Sequence, residues 1–202
     1  SKVGDLWQSI VGYLSDSSWI EALRNLLTGI DLLKERNRKG LYEVLNYEAN
    51  LELKDKTGKN ASVSKQEVVK YLRDNNVAFQ DQAWGDGKIL LYYRCSPGIP
   101  VDIYRSGFKT HILISLRQVK NRGDIEEFNI NWAIHDGFLK PTGFWATEVS
   151  HPTDKIKIKV IFPKNRPPIG ASIFEKNRQR TIPLGREYFL AKPDGKSEIT
   201  WV

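Results

Sequence analysis

Methionine is absent from this chain, cysteine occurs once, as Cys95, and histidine three times. One cysteine closes no internal disulfide, and so few cysteines and histidines leave little from which to build a structural zinc site. Cysteine this sparse points to a reducing, cytoplasmic setting. No apolar run reaches the roughly 18 residues that a spanning helix needs, and no signal-peptide pattern is present. There is no Gly-x-Ser-x-Gly elbow, no phosphate-binding glycine loop and no His-Glu-x-x-His pair. Internal repeats and low-complexity tracts are absent too. The sequence begins at Ser1 without any methionine and ends at 197–202 on a strand pattern with no turn or polar tail after it, so we expect a piece of a larger, multidomain protein.

What is present is ordinary for a folded chain. Of 202 residues, 40% are hydrophobic and 27% charged, which argues against disorder and allows a core without staples. The net charge of +7 is unevenly placed. Residues 1–150 hold 20 Lys and Arg against 19 Asp and Glu, whereas residues 151–202 hold 11 against 5. The basic excess therefore belongs to the last quarter, where an anionic partner would be sought.

Apolar periodicity divides the chain in two. Leu6, Trp7, Ile10, Val11 and Leu14 share a helical face. Ser18 and Glu21 form a capping box ahead of a second helix over 19–38, whose stripe is Ile20, Leu23, Leu27 and Ile30. Residues 1–40 are thus expected to be a helical segment. From residue 41 the period becomes two. Leu45, Tyr47, Ala49, Leu51 and Leu53 alternate with polar residues. Segment 61–73 fits either a short helix or a returning strand, and the turn before it favours the strand. Further strands are expected at 77–82, 88–95, 101–105, 109–119, 127–135, 144–150 and 155–162. The stretches 109–119 and 127–135 read as one hairpin, and 186–202 as another. Short turns between strands predict antiparallel pairing. The expected class is mainly β, an antiparallel β-sandwich or partly open barrel over 41–202 with an N-terminal helical segment.

Few residues announce chemistry. His111 and His135 fall out of phase with the apolar faces and read as surface histidines. Cys95 precedes a turn and has no identifiable base. Asp81 to Gly87 lacks the carboxylate density of a calcium loop. Arg122-Gly123-Asp124 has the composition of a turn before it has that of an adhesion motif. Asn60-Ala61-Ser62 fits a glycosylation sequon. No metal site and no cofactor are expected.

The strongest physical signal is a lysine stripe. Lys155, Lys157 and Lys159 must point to one side of a strand. With Lys164, Arg166, Lys176, Arg178 and Arg180 they could follow a polyanion such as nucleic acid. The competing reading is an edge strand guarded against aggregation by its lysines. Trp84 and Trp145, near turns, are candidates for a contact surface. The sequence thus favours a non-enzymatic recognition or regulatory module with a protein partner or neighbouring domain. A polyanion binder is the second reading, and an enzyme with dispersed loop-borne residues the third.

Overall fold

The computed structural model of the chain describes residues 6–11, 40–175 and 178–202. These form fourteen strands: β1 (Leu6–Val11), β2 (Tyr42–Leu53), β3 (Asn60–Tyr71), β4 (Asn76–Ala83), β5 (Lys88–Ser96), β6 (Ile99–Ser106), β7 (Lys109–Lys120), β8 (Ile125–His135), β9 (Phe144–Val149), β10 (Ile156–Phe162), β11 (Ser172–Glu175), β12 (Arg180–Pro183), β13 (Phe189–Ala191) and β14 (Ser197–Trp201). Three sheets result, in the orders β13-β14-β10-β2-β3-β8-β5, β4-β7-β6 and β12-β11-β1-β9. None of the three closes into a barrel.

The hairpin of β2 and β3 is built as its period predicts. Every second residue of β2 from Tyr47 to Leu53 is buried, as is every second residue of β3 from Ala61 to Tyr71. The turn between them is organised by Asp55, whose carboxylate accepts from the backbone N–H groups of Thr57, Lys59 and Asn60 at 2.9, 3.2 and 2.9 Å. The bond from the Thr57 hydroxyl, followed by these backbone bonds, holds the Asp55 carboxyl far below the usual range. Gly58 takes φ +73°, and a Cβ there would lie 1.9 Å from the Phe138 carbonyl oxygen, so this turn needs glycine twice over. Segment 61–73 is therefore a strand for most of its length, and the hairpin at the C-terminal end also forms, as β13 with β14.

Three expectations fail. Leu6–Val11 is not helical. It pairs antiparallel with β9 on one side and β11 on the other. A six-residue stretch with Trp, Ile and Val has weak claims on a helix, and a sheet with two waiting edges outweighs them. The second expected helix, over 19–38, lies outside the described residues. Nor do β7 and β8 pair. β7 sits between β4 and β6, and β8 between β3 and β5. Each buries its own apolar face, Ile112, Ile114 and Leu116 on one and Phe128, Ile130, Trp132 and Ile134 on the other. The turn between them passes from one sheet to another instead of folding a hairpin. Finally, pairing is not wholly antiparallel, because β10 runs parallel to β2. The intervening residues 54–155 are ample for the crossover that parallel neighbours require.

The buried apolar side chains form one cluster drawn from all three sheets. Phe79 of β4 stacks on Phe128 of β8 with ring centroids 4.0 Å apart. Tyr47 of β2 hydrogen-bonds Thr147 of β9. The seven-stranded sheet is thus covered on one face by parts of the other two.

Candidate functional site

The lysine stripe lies on β10, which is flanked by β14 and β2. It is an interior strand, so the edge-guard reading fails. The lysines face carboxylates instead. Lys157 is 3.5 Å from Glu48, and Lys159 is 3.9 Å from Glu48 and 3.8 Å from Glu198. Lys192 reaches Glu198 at 2.8 Å, and Lys196 reaches Glu52 at 2.9 Å. What reads in one strand as unrelieved positive charge is, across strands, an alternating lattice. Lys155 and Lys164 are exposed. Arg166 is a clamp, donating to the carbonyls of Phe138 at 2.9 Å and Lys140 at 2.7 Å. Arg178 and Arg180 both pair with Glu175, at 3.5 and 2.6 Å. Lys176 lies outside the described residues.

The tryptophan candidates separate. Trp145 is only 9% exposed and belongs to the core. Trp84 is half-buried, edge-on to Phe108, with the Lys109 ammonium 5.4 Å from its ring centroid. The histidines do not converge. His111 lies 2.7 Å from the Gln80 amide and stacks on Tyr104, while His135 meets Asn60 and Asp136. Cys95 is half-buried, and burial, reinforced by the Asp81 carboxylate, pushes its thiol up to about 12. That suits an inert thiol, not a nucleophile. Arg122-Gly123-Asp124 is a turn whose backbone bonds Tyr71 of β3. Among the described residues no three His, Cys, Asp or Glu side chains are grouped as metal ligands.

Two arrangements stand out instead. The first is a set of charges on the wrong face of the sheet. Along β3 the inward positions read Ala61, Val63, Lys65, Glu67, Val69, Tyr71, so Lys65 and Glu67 enter the core in phase with its apolar residues. Both are more than nine-tenths buried, as are Asp81 and Lys109. Lys65 pairs with Asp81, which also accepts from the Tyr93 hydroxyl at 2.8 Å. The Lys65 ammonium lies 5.2 Å from the Trp132 ring centroid. Lys109 pairs with Glu148, which accepts from the Gln82 amide at 2.9 Å. Glu67 lacks such a match: no hydrogen bond reaches its carboxylate from a described residue. Burial pushes its pKa up to about 7, with Lys65 opposing and Asp81 reinforcing the rise. For Lys65, burial works against the charge, yet Asp81 and Tyr47 hold its pKa above the ordinary lysine value. Around these groups is a partly open cavity of about 30 Å³, lined by Glu67, Lys65, Asp81, Tyr42, Tyr47, Gln80, Gln82, Glu148, Ser150 and His151.

The sequence carried a signal for this cluster. Two charges in phase with Ala61, Val63, Val69 and Tyr71 are legible once β3 is accepted as a strand. The ambiguity of 61–73 hid them. Asp81 was visible only as part of a glycine-rich turn, although it alternates with Phe79 and Ala83 and points inward with them.

The second arrangement is the outer edge of β6. Among the described residues this strand pairs with β7 alone, and along it Val101, Ile103 and Tyr104 are 59%, 55% and 39% exposed. Of the other sheet ends, three are short or irregular. β13 and β12 have only 3 and 4 residues. β5 is broken by two register shifts and by positive φ at Leu90 and Tyr92.

No family model and no curated protein matches the chain. Among solved structures, the M1 zinc metallopeptidase from Deinococcus radiodurans aligns with 79% of this chain and 38% of its own, at 11% identity and a TM-score of 0.45. A mutant of that enzyme bound to a Tyr-Ser-Ala substrate gives the same coverage at 10% identity and a TM-score of 0.46. The chain spans well under half the length of those enzymes. A likeness of this depth carries no argument about what this chain does.

Proposed function

We propose that this chain is a recognition module that binds a protein partner or neighbouring domain through the β6 edge. One observation carries the reading: an eight-residue edge strand leaves its outer side unpaired by any described strand while exposing Val101, Ile103 and Tyr104. Unpaired N–H and C=O groups beside apolar side chains are what an added strand uses, the backbone giving affinity and the side chains specificity. Asp102 and Arg105, both exposed, give that edge one charge of each sign for selecting an orientation. The basic final quarter supports a polyanion less well, because Lys157, Lys159, Arg178 and Arg180 already hold carboxylates.

The test is site-specific photo-crosslinking in cells expressing the full natural protein. A photoreactive residue replaces Ile103 in one variant and the exposed Lys54 in another. A discrete adduct is expected from position 103 alone, diminished when Val101→Lys and Tyr104→Lys are added. Equal adducts from both positions, or none from 103, would sink the reading.

A further inference from the structure

Among the described residues, the charges beside the β3 cavity do not balance. Two ammonium groups, Lys65 and Lys109, are matched one to one by Asp81 and Glu148. Glu67 is the third carboxylate, 8% exposed, lining the cavity and accepting no hydrogen bond from a described residue. When Glu67 ionises, Lys65, Lys109, Asp81, Glu148 and Glu67 together carry one net negative charge, in a setting where an unpaired charge is costly. The other titratable groups lining the cavity are Tyr42, Tyr47 and His151.

Size and chemistry restrict what could balance it. A space of about 30 Å³ holds one or two atoms the size of a water oxygen and no bulky group. The lining residues Glu67, Ser150, Gln80 and Gln82 each carry an acceptor oxygen: a carboxylate, a hydroxyl and two amides. A small donor-only cation suits such a lining. A primary ammonium group presents three hydrogens that must all find acceptors, is close to water in size, and supplies the missing positive charge.

We propose that this cavity seats one primary ammonium group, with Glu67 as its counter-ion. The group occupies the place that a proton on Glu67 takes otherwise, so the two compete. Binding is therefore strongest where Glu67 is ionised and fades as it protonates. The cavity is partly open, so the ammonium can be the free ion or the end of an alkylamine such as a lysine side chain. This inference is independent of the β6 edge, and its test leaves that edge untouched.

The experiment is thermal unfolding of the whole protein at matched ionic strength in ammonium, methylammonium, sodium or tetramethylammonium chloride, at about pH 8 and about pH 6. We expect Tm to rise with ammonium concentration at the higher pH, by several times the rise in sodium or tetramethylammonium. The rise should shrink at the lower pH and vanish in Glu67→Gln. A matching rise in methylammonium assigns the site to alkylamines, and a rise in ammonium alone assigns it to the free ion. In the wild-type protein, the Glu67 carboxyl carbon resonance should titrate at a lower midpoint in ammonium than in sodium. Equal Tm in all four salts, a rise that survives in Glu67→Gln, or an unmoved Glu67 midpoint overturns the proposal.

Discussion

At position 67 a carboxylate faces the interior, where its charged form meets the desolvation that burial imposes, only partly relieved by Lys65. The sign of the consequence is fixed. A carboxyl whose pKa rises on folding, here from 4.5 to about 7, binds more protons folded than unfolded between those values. Folding is therefore least penalised below the unfolded pKa and loses stability as pH climbs through the folded one, by on the order of 3 kcal/mol. Urea unfolding in sodium buffer should show wild-type stability falling between pH about 4.5 and about 7.5 by more than that of Glu67→Gln. Parallel curves for the two proteins would refute the assignment. Lys65 behaves oppositely: paired with Asp81, it stays charged, and its removal would leave a buried carboxylate without its partner ammonium.

Among the elements, the β2–β3 hairpin illustrates how a turn is chosen by more than its own residues. The sequence Asp-Lys-Thr-Gly-Lys-Asn is legible as a turn, and Asp55 explains its internal hydrogen bonds. The demand at Gly58 comes from elsewhere, because the Phe138 carbonyl presses on it while Arg166 holds that same carbonyl at 2.9 Å. Gly58→Ala should therefore cost more than the roughly 1 kcal/mol of a strained turn alone, about 2 to 4 kcal/mol by chemical denaturation. A cost near zero would mean that the 138–140 loop yields freely. β10 teaches the complementary lesson. Its alternation predicts an inward face, and Ile158 and Val160 on that face are buried. Its lysines look unrelieved in the sequence because period within one strand says nothing about what the neighbouring strands carry opposite it. Glu48 on β2 and Glu198 on β14 are distant in sequence and adjacent in space.

Among the described residues, the three sheets contribute to one buried cluster, and pairings such as β2 with β10 join segments some hundred residues apart. A core of that kind should unfold as a unit. Tryptophan fluorescence, from Trp132 and Trp145 within the core, and far-ultraviolet circular dichroism should then give coincident denaturation curves. Separate midpoints would divide the sheets into independent units. Strand partners so far apart in sequence also imply slow refolding, in the range of milliseconds to seconds or longer, since loop closure precedes the contacts that reward it.

Between residues 42 and 162 the sequence by itself determined where the chain is extended, which face of most strands is apolar, and where the turns fall, because period two and turn composition are local properties; it did not show the strands Leu6–Val11, Ser172–Glu175 and Arg180–Pro183. It also placed the charge asymmetry. Only the tertiary structure decided which strands are neighbours. That choice separated β7 from β8, set β10 inside a sheet beside Glu48 and Glu198, and left the edge of β6 without a described partner strand. It also gathered Lys65, Glu67, Asp81 and Glu148 from three strands of three sheets around one cavity. Hydrogen bonding between strands can join residues at any separation, so such a cluster has no local period to betray it, apart from two charges on β3 that stand where apolar residues belong.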